Sequence, residues 1–261
     1  MNDPAIVTLL SLVPRRFASG VLGRVARRPS RCLARAFARA YDVDLTDAEH
    51  PLSAYPSLDA LFTRRLRSGA RPVDADPDAV VSPVDGEVAW CGPTDGTIPL
   101  GPVPFALADV VGGPVTTRAA AVIYLSPRDY HRVHAPLAGR IERYRYVPGS
   151  RWPVFSWAVR SVPRLFARNE RLVFEASTPR GRVDIVLVGA FGVGRIRSPL
   201  IGGSMASGPV DASVAPGDEI GVFHLGSTVL VGLPDAPTAW EVAPGDRIRM
   251  GRALGRFAPP R

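Results

Sequence analysis

From Ala79 onward the chain reads as short apolar, β-branched runs separated by turn signals. Ala79 to Val81, AVIYL at 121–125, RLVFEA at 171–176, VDIVLVGAFGV at 183–193 and STVLVGL at 227–233 predict strands. The head of the chain carries a different pattern. Between Ala5 and Tyr41, apolar Ile6, Leu9, Leu10, Leu12, Val13, Phe17, Val21 and Leu22 interleave with Arg15, Arg16, Arg24, Arg27, Arg28, Arg31, Arg35 and Arg39. That spacing predicts basic amphipathic helices broken near Pro14, Gly20 and Pro29, and a further helix is expected over Leu58 to Arg67. The expected organisation is a helical region over residues 1–70 and a β-rich domain over 71–261. The expected fold class is α+β, with antiparallel sheets, a barrel-like β body and amino-terminal amphipathic helices.

Composition sharpens this picture. Glycine (25) and proline (27) are abundant without low-complexity repeats, which suits many strands joined by turns, and 46% hydrophobic content is enough for a core. Two near-repeats mark such turns: SPVDGEV (82–88) beside APLAGRI (135–141), and VAPGDEI (214–220) beside VAPGDRI (242–248). Cys32 and Cys91 offer neither a disulfide framework nor metal-ligand spacing, which fits a reducing compartment. Neither a secretory leader nor a spanning run of about 18 apolar residues is read in the sequence, so neither secretion nor a membrane crossing is expected.

The net charge of +8 is carried by arginine, because all 32 Lys+Arg residues are Arg. Basic amphipathic helices of this type suit an anionic bilayer interface or packing on their own domain. The missing lysine also bears on chemistry. Turn-strand units like the two near-repeats occur in lipoyl and biotinyl carrier barrels, but those groups attach through lysine.

Candidate chemistry concentrates in three places. YLSPRDYHRVHAP (124–136) holds His131 and His134, suited to acid-base work. A zinc pair is the rival reading and lacks a third histidine or nearby cysteine. Asp85 sits in the tight turn SPVDG, where it could simply cap backbone. Ser227 follows Gly226 at the head of an apolar strand. Asp, His and Ser together could form a charge-relay set, and a serine hydrolase is conceivable, although the G-x-S-x-G elbow is absent. Isolated His50 and His224 read as structural or surface residues.

Taken in order, SPVDGEV, YLSPRDYHRVHAP, YVPGS, LFARNERLV, GAFGVGRI and EIGVFHLGSTV make the chain resemble the phosphatidylserine decarboxylase proenzymes from about residue 58 onward. By motif, Asp85 matches the SPVDG aspartate, His134 the second histidine of YHRVH, and Ser227 the serine of LGST. The resemblance implies that these three drive self-cleavage between Gly226 and Ser227. Chains 1–226 and 227–261 would result, and Ser227 would become a covalent pyruvoyl group. Its ketone would condense with the substrate's amine and serve as electron sink, in place of a lysine-held pyridoxal phosphate. His131 is then implied as the proton donor in decarboxylation. No metal is implied. The implied partners are phosphatidylserine, an anionic membrane surface and the other cleaved chain, with further dimerisation left open and nucleic acid not expected. The implied location is the cytoplasmic side of the cell membrane, peripherally bound. Departures are modest: Ile220 replaces a common methionine, and RWPVFSWAVRSVPR (151–164) follows the family loosely. A relative acting on another serine-headgroup lipid or a free amino acid, a serine hydrolase and a non-catalytic β module binding anionic membrane or nucleic acid remain the rivals.

Overall fold

The computed structural model describes residues 15–101, 103–154, 156–190, 196–202, 206–224 and 226–259. In the amino-terminal region, α1 (Arg15–Arg27) and α2 (Arg31–Ala40) are separated at Pro29, and α3 spans Leu58–Phe62. Proline forces the break because it disfavours helical geometry in the residue before it, and Ser30 then caps α2 by accepting from Leu33 N. The expected break at Gly20 is absent: the glycine lies inside α1, since one helical glycine costs only about 1 kcal/mol. Positions 5–14 of the predicted helical stretch, including the expected break at Pro14, lie outside the described residues.

The expected helix over Leu58 to Arg67 is also shorter than its pattern. Ser57 caps α3, and Thr63 closes it with its N–H on Asp59 O. Beyond that point the backbone pairs elsewhere. Leu66 bridges antiparallel to Ala48, Glu49 N donates to Arg65 O and Arg67 N to Asp47 O, which removes the groups a continuing helix needs.

The β body begins with β1 (Ala79–Val81), β2 (Gly86–Pro93), β3 (Thr97–Ile98) and β4 (Phe105–Ala106), followed by α4 (Leu107–Val111). Then come β5 (Ala119–Leu125), β6 (Arg132–His134), β7 (Gly139–Val147), α5 (Ser156–Val159), α6 (Leu165–Arg168), β8 (Arg171–Thr178) and β9 (Gly181–Gly189). It closes with β10 (Ile196–Arg197), β11 (Ser207–Val214), β12 (Glu219–Phe223), β13 (Ser227–Leu233), β14 (Ala239–Trp240), β15 (Arg247–Ile248) and β16 (Ala253–Arg256). The run read from 183 leaves the sheet after Gly189, and its last positions, 191–193, lie outside the described residues.

Eight strands form one antiparallel sheet in the order β11-β7-β8-β9-β13-β5-β2-β15. Its edge strands β11 and β15 do not pair with each other among the described residues, so the body is an open sheet rather than a barrel. Both faces are covered. On one side Ile123, Leu125, Val229 and Val231 pack with Val133, Ile220 and Phe223 from the small sheet β10-β12-β6, and with Val80 and Leu254 from β1-β16-β14. On the other side Ala120, Val122, Val186 and Leu230 pack with Phe62 of α3, Phe166 of α6, Phe105 of β4 and Trp152 of the loop after β7. This double burial explains why β13 reads as a continuous apolar run rather than an alternating one. Each of its buried aliphatic side chains contributes roughly 1.5–3 kcal/mol of transfer free energy.

Candidate active site

Ser227 opens β13 at the centre of the large sheet, paired with Leu125 on one side and Gly189 on the other. Strand alternation aims its side chain at the face that carries Leu125, Val229 and Phe223. The residue is fully buried, and its Oγ has no hydrogen-bond partner among the described residues. Leaving a buried hydroxyl unpaired costs on the order of 1–3 kcal/mol, so this arrangement needs a reason other than stability. Gly189 opposite is braced by Asn169, whose Nδ2 donates to Gly189 O at 3.0 Å and to Trp152 O at 2.9 Å. LFARNERLV therefore sets the backbone against which Ser227 rests. At Gly226 a Cβ would meet no heavy atom within 4 Å, so the space beside the 226–227 bond is open.

The three histidines nearest this segment share one logic of protonation, because each points Nδ1 at a pure acceptor. Nδ1 must then carry the hydrogen, leaving Nε2 as the basic atom. In His131, Nδ1 donates to Asp129 O at 2.8 Å, while Nε2 is buried without a partner among the described residues. Its ring packs on Phe62 at 4.0 Å between centroids, and complete burial pushes its pKa down to about 3. His131 O also accepts from Phe223 N at 3.0 Å, which ties it to the strand leading into the Ser227 turn.

His134 is arranged differently. Its Nδ1 donates to Gly217 O at 2.7 Å, and its Nε2 is occupied by the Tyr130 hydroxyl at 3.0 Å. Burial lowers its pKa below the ordinary histidine value, and burial also raises that of Tyr130, so the phenol stays a donor. The Gly217 carbonyl belongs to the first VAPGD unit. There Ala215 N donates to Asp218 Oδ2 at 2.7 Å and Gly217 takes φ +90°; the second unit repeats this with Ala243, Asp246 and Gly245 at φ +98°. The near-repeat is thus a repeated β-turn, closed by Asp218 N on Ala215 O and by Asp246 N on Ala243 O with each aspartate reaching back to the first N–H, and one copy orients an imidazole.

Asp85 does not cap its own turn. Its carboxylate receives the Arg71 guanidinium in a forked contact, with Nε at 2.9 Å and an Nη at 2.6 Å, and accepts from Met250 N at 2.8 Å. No hydrogen bond joins Asp85 to His134. The two are neighbours nonetheless: Asp85 and Tyr130 line one cavity of about 380 Å³ with Arg64, Arg71, Asp129 and Arg247, and Asp85 favours charge on His134. Asp85, Tyr130 and His134 are brought together, whereas Ser227 Oγ bonds to none of them.

His224, read from sequence as structural or surface, is half-buried three residues before Ser227. Its Nδ1 donates to Asp59 Oδ1 of α3 at 2.8 Å, and its Nε2 is buried and unpartnered among the described residues. The pairing is illegible in sequence because the partners lie 165 positions apart. Segment 58–64 as a whole roofs the site: Asp59 meets His224, Phe62 meets His131, and Thr63 O accepts from Arg132 Nη2 at 2.9 Å. His50 is exposed and sits near Tyr55, away from these groups. Among the described residues no group of three or more metal-ligating side chains occurs.

Comparison with known proteins adds an independent line. The family model described as phosphatidylserine decarboxylase matches residues 58–256. A phosphatidylserine decarboxylase proenzyme of Myxococcus xanthus is 36% identical over 277 residues, covering 98% of this chain and 99% of that protein. One from Halorhodospira halophila is 42% identical over 268 residues, covering 94% and 91%. One from Pseudomonas fluorescens is 38% identical over 281 residues, covering 95% and 96%.

Proposed function

The chain belongs to the phosphatidylserine decarboxylase family and is a decarboxylase, and from that premise we propose that it is made as a precursor that cuts itself at Gly226–Ser227. Ser227 then becomes a pyruvoyl group that serves the conversion of phosphatidylserine to phosphatidylethanolamine. The observation that carries the reading is the unpartnered, fully buried Oγ of Ser227 directly after Gly226. A hydroxyl with no competing hydrogen bond is free to turn on the preceding carbonyl. Burial of Ser227 shields Oγ itself from competing water, so the hydroxyl has the neighbouring carbonyl as its nearest reaction partner. The same burial argues against a serine hydrolase, whose nucleophile must meet an outside substrate.

The residues fit the group they would hold. Ser227 lies between Gly189 and Leu125 in a dry site, with open space at Gly226 and the unpartnered Nε2 of His131 tied to the same turn. A pyruvoyl carbonyl supplies an electron sink for the breaking C–C bond. Asp85 and His134 act in self-cleavage: His134 Nε2 takes the Ser227 hydroxyl proton after its bond to Tyr130 opens, and Asp85 steadies the imidazolium. His131 Nε2, which has no partner among the described residues, takes a proton from the substrate's ammonium group as the headgroup fills the site and returns it to the substrate carbon after carbon dioxide leaves; the headgroup's phosphate offsets the charge that burial disfavours in the precursor. The chain partners are the two products, 1–226 and 227–261. The amino-terminal region, residues 1–70, docks the molecule peripherally on an anionic membrane at its cytoplasmic face. No described helix is long and apolar enough to cross a bilayer.

Intact mass spectrometry tests the reading. Purified protein should show two chains, with the small one blocked at its amino terminus. Ser227→Ala, His134→Ala and Asp85→Asn should each leave one uncut chain, while His131→Ala should cut but lose decarboxylation, about a hundredfold or more if it is the acid. A wild-type protein that stays whole, with Ser227 intact, sinks the proposal.

A further inference from the structure

We propose that His224, held by Asp59, is a second acid-base group of the precursor, which removes the Cα proton of Ser227 when the chain finally parts. The inference rests on the self-cleavage reading and concerns its second half. Attack of Ser227 Oγ on the Gly226 carbonyl forms a C–O bond and breaks the C–N bond, and the proton taken from Oγ returns to the departing nitrogen. The result is an ester with a free amine on residue 227. Parting the chain then needs a different proton transfer. The Cα–H bond of residue 227 breaks and its electron pair becomes a Cα=Cβ double bond. The Cβ–Oγ bond breaks in turn, its pair leaving on the Gly226 carboxylate, and the base keeps the proton.

A group suited to this task must have a free basic nitrogen, lie close to residue 227, and tolerate the positive charge it acquires. His134 is committed to the first step: it passes the hydroxyl proton to the departing nitrogen, after which its Nε2 takes up the Tyr130 hydroxyl again and offers no free nitrogen to the second. His131 meets the first condition but not the last: it is backed by a neutral carbonyl and completely buried, so an imidazolium there is strongly disfavoured. His224 meets all three. It stands three residues before Ser227, its Nε2 is buried and unpartnered among the described residues, and a carboxylate lies behind its other nitrogen at 2.8 Å. That is the Asp–His relation in which the carboxylate sets the tautomer and stabilises the protonated ring. Asp59 is therefore a positioning residue, and its place on α3 ties the cutting step to the amino-terminal region.

Hydroxylamine separates this role from a structural one, because it cuts esters but spares the amide. In His224→Gln, self-cleavage should slow by about a hundredfold, the usual scale for a lost general base. Hydroxylamine should then release residues 1–226 as a hydroxamate, together with a small chain that still begins with Ser227. Asp59→Asn keeps the shape of the carboxylate without its charge and should show the same ester with a milder slowing; it carries the test if His224→Gln does not fold by near-ultraviolet circular dichroism. Folded variants that cut at the wild-type rate overturn the inference. So do folded variants that stay uncut and are inert to hydroxylamine, since His224 would then serve the first step or only the fold. A wild-type chain that never cuts overturns the self-cleavage reading instead.

Discussion

Three polar atoms, Ser227 Oγ, His131 Nε2 and His224 Nε2, are buried without partners among the described residues. Each is a cost on the order of 1–3 kcal/mol that a merely structural site would have removed. His131 adds a second cost that depends on acidity. Its pKa falls to about 3 on folding from an ordinary value of 6.5, so the unfolded chain binds a proton there that the folded one does not. Its contribution to stability is intact above pH 6.5 and declines as pH falls from 6.5 toward 3, by about 1.4 kcal/mol per pH unit. His134 is shifted in the same direction by burial and steepens the loss. Urea midpoints of the uncut Ser227→Ala protein should therefore drop between pH 7.5 and pH 5, and adding His131→Phe should flatten that dependence. At this scale the motifs single out Ser227 and His131, and both side chains are fully buried. Sequence could not reveal that Asp85 is gripped by Arg71 or that His224 has a carboxylate behind it, because both depend on contacts made across the fold.

Elements position these residues through close backbone contact. At Gly149, in YVPGS, a Cβ would lie 2.4–2.5 Å from Asn169 C, Arg168 O and Glu170 N, none of which can move aside as a side chain might. The same Asn169 braces Gly189 opposite Ser227. Gly149→Ala should thus lower stability by about 1–3 kcal/mol, read as a fall in the urea midpoint, and should slow self-cleavage by shifting β9. The long strands were legible because β5 and β13 are buried on both faces and read as near-continuous apolar runs, while β8 and β9 keep apolar stretches broken only by Glu175 and Asp184. The span of α3 was not, since its helical pattern continues past Phe62 while the backbone is taken up by pairing with residues 47–49. Gly20 misled in the opposite sense: a weak local penalty was outweighed by the rest of α1.

Over the whole molecule, charge and shape divide between the two ends of the sequence. In α1 the apolar Val21, Leu22 and Val25 are exposed, each 39–41% accessible, while Ala26 turns inward to the core. Arg24, Arg27 and Arg28 flank that exposed stripe, which suits an anionic lipid surface more than water. Full-length protein should sediment with vesicles containing phosphatidylserine or phosphatidylglycerol, release as salt rises, and bind poorly to purely phosphatidylcholine vesicles. Leu22→Glu with Val25→Glu should reduce that binding at least tenfold without altering self-cleavage. If the double variant binds as well as the parent, the docking face lies elsewhere. The α+β class and the antiparallel body were readable from strand spacing and turns, but sheet closure was not, because it depends on whether β11 and β15 meet.

Strand β13 lies between β9 and β5, and β16 lies between β1 and β14, so residues 227–261 are woven through two sheets whose other strands come from before the proposed cut. An ordinary coenzyme can be lost, replaced or salvaged, but a reactive group at the head of such a strand can be neither withdrawn nor lent to another molecule. Each copy would then have one lifetime of service. Inactivation of that group by a stray nucleophile would retire the entire protein, and the cell could recover the lost capacity only through fresh translation.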